Sequence, residues 1–237
     1  MPVARLLSLL LALAAPLAAA AAAPAPPAAP ATGGPTPLDK YLDNLRTLRT
    51  SFVQTLADPH GREIDRANGT LIVQRPGKFS WDIHPQPVAG NAAAANPTPA
   101  GGGGAGQLMV CDGVNLWFYD RDLQQVTVKA VDAALSATPA MLLSGAVDVR
   151  KSFAISPVGV REGLDWVLVE PAGAQADFRR ALFGFERGEL RRMILEDKLD
   201  QTATIIFQKI ERNGPVRTAE VSFTPPVGVD VIGTPRK

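Results

Sequence analysis

The chain has 237 residues, with 24 Lys and Arg against 23 Asp and Glu, 46% hydrophobic residues and one cysteine. A balance this close to neutral excludes a polybasic nucleic-acid binder, which needs surplus cations to neutralise phosphates. The lone Cys111 excludes an internal disulfide framework and a cysteine-cluster metal site.

The front of the chain has its own composition. Fourteen of the first 32 residues are Ala, and Arg5 is the only charged side chain before Asp39. Arg5 and the amino terminus make a short positive region, Leu6 to Leu13 an apolar one, and small residues follow from Ala18 to Ala23. This pattern predicts a cleavable export signal over residues 1–23, too short and alanine-diluted for a membrane span. No cysteine lies near the cleavage zone, so a lipoprotein's acylation site is missing. Residues 24–36, rich in Pro, Ala and Gly, read as an unfolded leader. Residues 37–237 read as a single domain.

Leu38, Tyr41, Leu42, Leu45, Leu48, Phe52, Val53 and Leu56 recur at three- and four-residue spacing, which predicts one amphipathic helix over 37–57. Pro37 supplies its start and Asp58-Pro59 its stop. From Arg62 to Thr224 the period becomes two. Strand-like runs return about every ten residues, divided by Asp-Gly, Asn-Gly and Arg-Gly pairs, as in an antiparallel sheet curling into a barrel or sandwich. Pro85 to Gln107 is a run of 23 residues without a charge, read as a flexible insertion between two paired strands. Val131 to Ser144 reads as two short helices divided at Thr138-Pro139, where Thr138 can cap the second.

Little here suggests chemistry. His60 and His84 stand alone in Pro-flanked segments and read as solvated loop residues. Asp112, Asp120 and Asp122 fall at predicted turns without the spacing of a calcium loop. No nucleophile elbow, zinc motif, phosphate loop or dinucleotide fingerprint occurs. Cys111 lies in a strand run and reads as a buried structural thiol. No enzyme activity and no cofactor are expected. The aromatic residues, among them Phe79, Trp81, Trp117, Phe118, Tyr119, Phe185 and Phe207, either fill a core or line a cavity for an apolar ligand. Composition does not choose between the two.

Certain strings do. Gly69-Thr-Leu, Arg75-Pro-Gly-Lys-Phe-Ser-Trp81, Asp112-Gly-Val-Asn-Leu-Trp-Phe-Tyr-Asp120, Leu123-Gln-Gln-Val-Thr127, Thr138-Pro-Ala-Met-Leu-Leu143 and Phe223-Thr-Pro-Pro-Val-Gly-Val-Asp230 occur in that order. The ordered set resembles the bacterial outer-membrane lipoprotein carrier family, LolA, over the chain from about residue 37. The departure is Pro85 to Gln107, where the family has a shorter connection.

The resemblance implies a mainly β fold: an incomplete, unclosed antiparallel β-barrel, with an N-terminal helix and a short helical insert forming a lid over an apolar cavity. It implies a monomeric periplasmic carrier that accepts triacylated lipoproteins from the inner-membrane ABC transporter LolCDE and delivers them to the outer-membrane receptor LolB. That receptor is itself a lipoprotein, so the missing acylation cysteine favours the carrier. A lipoprotein-sensing module of the same fold, acting in envelope-stress signalling, is the alternative; such proteins add a second domain, for which this reading leaves no residues.

The same resemblance assigns residues. Arg75, extended before Pro76 and carrying five donors, is expected to bond the lid and favour the closed, empty state. Trp81, Met141, Leu142 and Leu143 are expected to line the cavity or lid, although an apolar stripe also suits plain core packing. Phe79 matches a position near the contact with the inner-membrane complex, which makes it a docking candidate; its alternation with Trp81 equally permits a core role. Whether Trp117 and Tyr119 or Leu116 and Phe118 face the interior stays open.

Overall fold

A computed structural model describes residues 34–88, 105–131, 138–146, 149–173 and 178–236. The export signal, the leader to residue 33, the centre of the insertion and the first half of the predicted helical pair lie outside them.

The predicted long helix is two elements. Helix α1 covers Pro37–Asp43 and strand β1 covers Thr47–Ala57. Leu45, Leu48 and Phe52 satisfy a helical period, but Leu48, Thr50 and Phe52 also alternate, and all three are buried. The tie is broken from a distance. The Asn213 side chain accepts from the N–H of Arg46 (2.8 Å) and donates to the carbonyl of Asn44 (2.9 Å), satisfying the break between helix and strand. β1 then pairs on both sides, with β2 (Glu63–Gln74) and β11 (Thr202–Arg212). Two full ladders outweigh a weak local helix preference.

The remaining strands are β3 (Lys78–Gln86), β4 (Gln107–Asp112), β5 (Asn115–Asp120), β6 (Gln125–Ala130), β7 (Phe153–Arg161), β8 (Leu164–Pro171), β9 (Phe178–Glu186), β10 (Glu189–Asp197) and β12 (Asp230–Ile232). They form one sheet in the order β12-β6-β5-β4-β3-β2-β1-β11-β10-β9-β8-β7. Every pairing is antiparallel except β12 on β6, which is parallel. β3 and β4 pair from Lys78↔Asp112 to Ile83↔Gln107, so the uncharged insertion leaves the sheet between two neighbours. Two short helices, α2 (Pro139–Ser144) and α3 (Val149–Ser152), sit between β6 and β7.

β12 and β7 are the edges and do not meet, so the sheet is unclosed. It nevertheless curls. One cluster of buried apolar side chains joins Leu116 of β5 to Val167 and Val169 of β8, strands far apart in sheet order, together with α1 and α2. Only a sheet wrapped around a common interior brings these together. A second cluster, Val110, Trp117, Tyr119, Val126 and Val128, lies on the opposite face and is covered by Phe223 and Val229. Leu116 therefore faces the interior, while Trp117 and Tyr119 face outward beneath the C-terminal segment.

Curling demands close approach at one point. A Cβ on Gly69 of β2 would lie 1.9 Å from the Asp82 carbonyl oxygen and 2.7 Å from the Phe52 ring. Phe52 is fully buried and stands opposite Gly69 in the ladder. Gly69→Ala should therefore cost about 1–3 kcal/mol by overpacking, read as a lower denaturant midpoint at unchanged slope.

Candidate functional site

The interior is covered by α2, and its six residues explain why. Pro139, Ala140, Met141, Leu142, Leu143 and Ser144 are all buried, so this helix has no polar face. At six residues it has no stability of its own. It persists by packing on β2 and β3 and by how its ends are treated. Pro139 suits the first helical position. Thr138 occupies the N-cap position, as expected, but its hydroxyl makes no capping bond. At the other end Gly145 adopts a left-handed conformation (φ 69°), and its N–H reaches the Leu142 and Met141 carbonyls. The Ser144 hydroxyl donates to the Met141 carbonyl at 2.9 Å.

The turn between β2 and β3 meets that end. Gly77 N–H donates to the Ser144 carbonyl at 2.8 Å. The Arg75 guanidinium lies against Gly145, where a Cβ would fall 2.8 Å from both Nε and Nη2. Arg75 Nη1 also donates to the Leu42 carbonyl in the last turn of α1, and its backbone N–H donates to Arg46 O at 2.8 Å. One three-residue turn thus holds the C-terminal ends of both helices, where a cation also complements the helix dipole. Burial lowers the guanidinium's proton affinity from its ordinary value and the nearby Asp43 carboxylate opposes this.

The other named residues lie close by. Phe79 is fully buried, facing Cys111 across the β3–β4 pair. It offers no surface in this closed arrangement and takes the core position its alternation allowed. Cys111 is buried too, its thiol 2.9 Å from the Gly77 carbonyl, and burial pushes its pKa up. Trp81 is 6% exposed, edge-on to Phe52 with ring centroids 5.9 Å apart. So Arg75, Phe79, Trp81, Met141, Leu142 and Leu143 do gather, around one turn and one helix.

The polar residues set aside earlier have structural roles. Asp112 accepts from Val114 N–H, Asn115 N–H and Trp117 Nε1, at 2.7–2.8 Å. Asp120 accepts from the N–H groups of Asp122 and Leu123. His60 is an exposed turn residue. His84 is not in a loop: it stands in β3, half-exposed, 3.3 Å from Asp82. The strand continues through it and Pro85 because both lie opposite β2.

Three features escaped the sequence reading. Asp39 closes a capping box with Thr36 at the start of α1 and pairs with Arg150 of α3, tying α1 to the segment after α2. The Thr36-to-Asp39 spacing was the available signal. Gly145 is the second. The third is a set of buried polar atoms that lack a hydrogen-bond partner: Tyr41 Oη, Trp81 Nε1 and Thr138 Oγ1, among the described residues.

Residues 43–89 and 104–224 match the model of the outer membrane lipoprotein carrier protein LolA, leaving residues 90–103, inside the insertion, unmatched. An outer-membrane lipoprotein carrier protein of Dechloromonas aromatica is 38% identical over 201 residues, 85% of this chain and 88% of that protein. One of Nitrosospira multiformis is 37% identical over 196 residues, 82% of this chain and 86% of that protein. The crystal structure of a LolA superfamily protein from Nitrosomonas europaea aligns with a TM-score of 0.41 at 11% identity, over 78% of this chain and 96% of that one.

Gly145→Ala should open the site without touching an interior side chain. The new methyl meets the Arg75 guanidinium, and φ 69° is strained for Ala. The expected result is faster amide exchange in α2, with exchange in β9 to β11 unchanged. The Asp39 tie should respond to acid with a defined sign. Burial raises its pKa, but the bonds from Thr36 and Arg150 outweigh it, so the folded value lies below the ordinary 3.8. The stabilisation is then complete above pH 3.8 and is lost as pH falls through the lower folded value. Asp39→Asn should cost about 1–2 kcal/mol at neutral pH, and thermal melts of variant and parent should converge in stronger acid.

Proposed function

The chain belongs to the LolA family of outer membrane lipoprotein carrier proteins, and on that premise we propose that it shields the acyl chains of triacylated lipoproteins as they cross the periplasm. In this reading it accepts cargo from the inner-membrane transporter LolCDE and hands it to the outer-membrane receptor LolB. Residues 1–23 direct export and are removed, 24–36 form a leader, and 37–237 are the carrier domain with its insertion at 85–107. The task is binding and transfer; no bond is made or broken, and neither a catalytic group nor a cofactor is required.

The supporting observation is the wholly buried α2, apolar but for Ser144 and fastened at its C-terminal end by the Arg75–Gly77 turn. Burying Met141, Leu142 and Leu143 is worth roughly 5–9 kcal/mol in the limit of full exposure on opening. Acyl chains gain roughly 0.8 kcal/mol per CH₂ removed from water. Loading therefore exchanges one apolar filling for another, and the turn that recloses over the empty interior supplies a difference that favours release. The role proposed for Phe79 narrows accordingly: being buried behind this turn, it meets a partner only when the turn opens.

Arg75→Leu removes the bond to the Leu42 carbonyl of α1 and the packing on Gly145 while keeping the turn. In a reconstituted transfer from transporter-containing vesicles to purified receptor, the variant should load normally and deliver poorly. One charge-assisted bond lost from the closed state corresponds to roughly 10–100-fold tighter cargo retention. Delivery at the parent's rate would count against the proposed role.

A further inference from the structure

Two donors in the interior are at odds with a purely hydrocarbon lining. Tyr41 is 2% exposed and Trp81 is 6% exposed, and among the described residues neither Tyr41 Oη nor Trp81 Nε1 has a hydrogen-bond partner. Phe in place of Tyr41 would fill nearly the same space, and a purely apolar side chain in place of Trp81 would leave no donor unmet; a buried donor without a partner is unfavourable. The neighbours hold both rings rather than letting them turn toward solvent. Tyr41 is packed by Phe185 (centroids 5.5 Å) and covered by the Arg212 guanidinium at 5.1 Å. Trp81 is held edge-on by Phe52. Burial, reinforced by Glu189 and opposed by Arg212, raises the Tyr41 pKa far above any physiological pH, so the hydroxyl stays a donor.

Their placement relative to the fastening turn suggests what they serve. Tyr41 immediately precedes Leu42, whose carbonyl Arg75 holds. Trp81 lies on β3, which begins directly after Gly77, the residue bonded to the end of α2. The two donors flank one latch, one on the helix it secures and one on the strand it opens into. Acyl chains in a lipoprotein are joined to its head through ester and amide carbonyls, the only acceptors that enter with the hydrocarbon.

We propose that Trp81 Nε1 and Tyr41 Oη bind the two ester carbonyl oxygens at the root of the cargo's acyl chains, setting the depth at which the chains stop. This rests on the carrier reading and adds a polar specificity to it. The donors are unsatisfied when the site is closed and satisfied when it is loaded, so they favour acylated cargo over hydrocarbon of equal size. Thr138, at the N-cap of α2, is not part of this pair.

The test compares two probes on the purified carrier: a triacylated lipopeptide, and its analogue in which both ester links are replaced by ether links. The chains are identical, so packing losses in a variant cancel in the ratio of the two affinities. The parent should prefer the ester probe by roughly tenfold or more, and Tyr41→Phe and Trp81→Phe should each reduce that preference about three- to tenfold. Tyr41→Phe should also leave the melting temperature of the cargo-free protein unchanged or raised. Equal affinity of the parent for both probes overturns the proposal and leaves the carrier reading standing. So does a preference that both variants retain, or a large loss of cargo-free stability in Tyr41→Phe. Binding of neither probe removes the carrier reading and this proposal together.

Discussion

The structure depends on a helix that cannot stand alone. α2 has six residues, too few to nucleate in water, and every one is buried. Its existence is conditional on the sheet beneath it and on the fixing of its C-terminal carbonyls. The turn at Arg75, Pro76 and Gly77 meets both conditions, because it ends β2, begins β3 and projects donors at two helix termini at once. Breaking these contacts leaves a short, largely apolar helix with only its own Gly145 cap, and its natural response is to leave the surface or meet another apolar body. An element this conditional is suited to opening.

The fastening has to be modest for the same reason. The Leu and Met side chains of α2 are 0% exposed and already satisfied, so on the proposed reading cargo would compete with the protein's own residues and not with water. The net preference is then a small difference between two large apolar terms, and a few polar contacts can set its sign. In the proposed role, Arg75 acts on the closed side of that balance. Asp39 and Arg150 add a second, more exposed tie across α1 and α3, which is worth less because solvent screens it.

The sheet was readable from its period of two, and the short apolar insert from Thr138-Pro139 and the Met-Leu-Leu run. The helix over 37–57 was misjudged, because Leu45, Leu48 and Phe52 fit either period. The deciding residue, Asn213, lies far along the chain. Arg75 shows the same limit. Nothing local distinguishes it from a solvated strand-end arginine; its meaning comes from two helix ends brought to it by the fold, and only resemblance singled it out. The unpaired donors of Tyr41 and Trp81 were invisible for the opposite reason: a missing partner leaves no trace in a sequence.

The two apolar faces of β4 to β6 are covered in different ways. Both would be sticky if bare. The outer face is sealed by the chain's own C-terminal segment, with Phe223 against Trp117 and Tyr119 at 5.6 and 5.9 Å. That segment is held along its length: Glu220 pairs with Arg49, β12 is laddered onto β6, and the Asn115 side chain exchanges two bonds with the Arg236 backbone. Its fastenings are spread over many residues and include a backbone ladder, so no single loss frees it. The inner cover joins no strand and converges at one end on a single turn. On the proposed reading, fastening concentrated at one point would let a contact there release the whole element, on the side where an apolar guest would enter the interior.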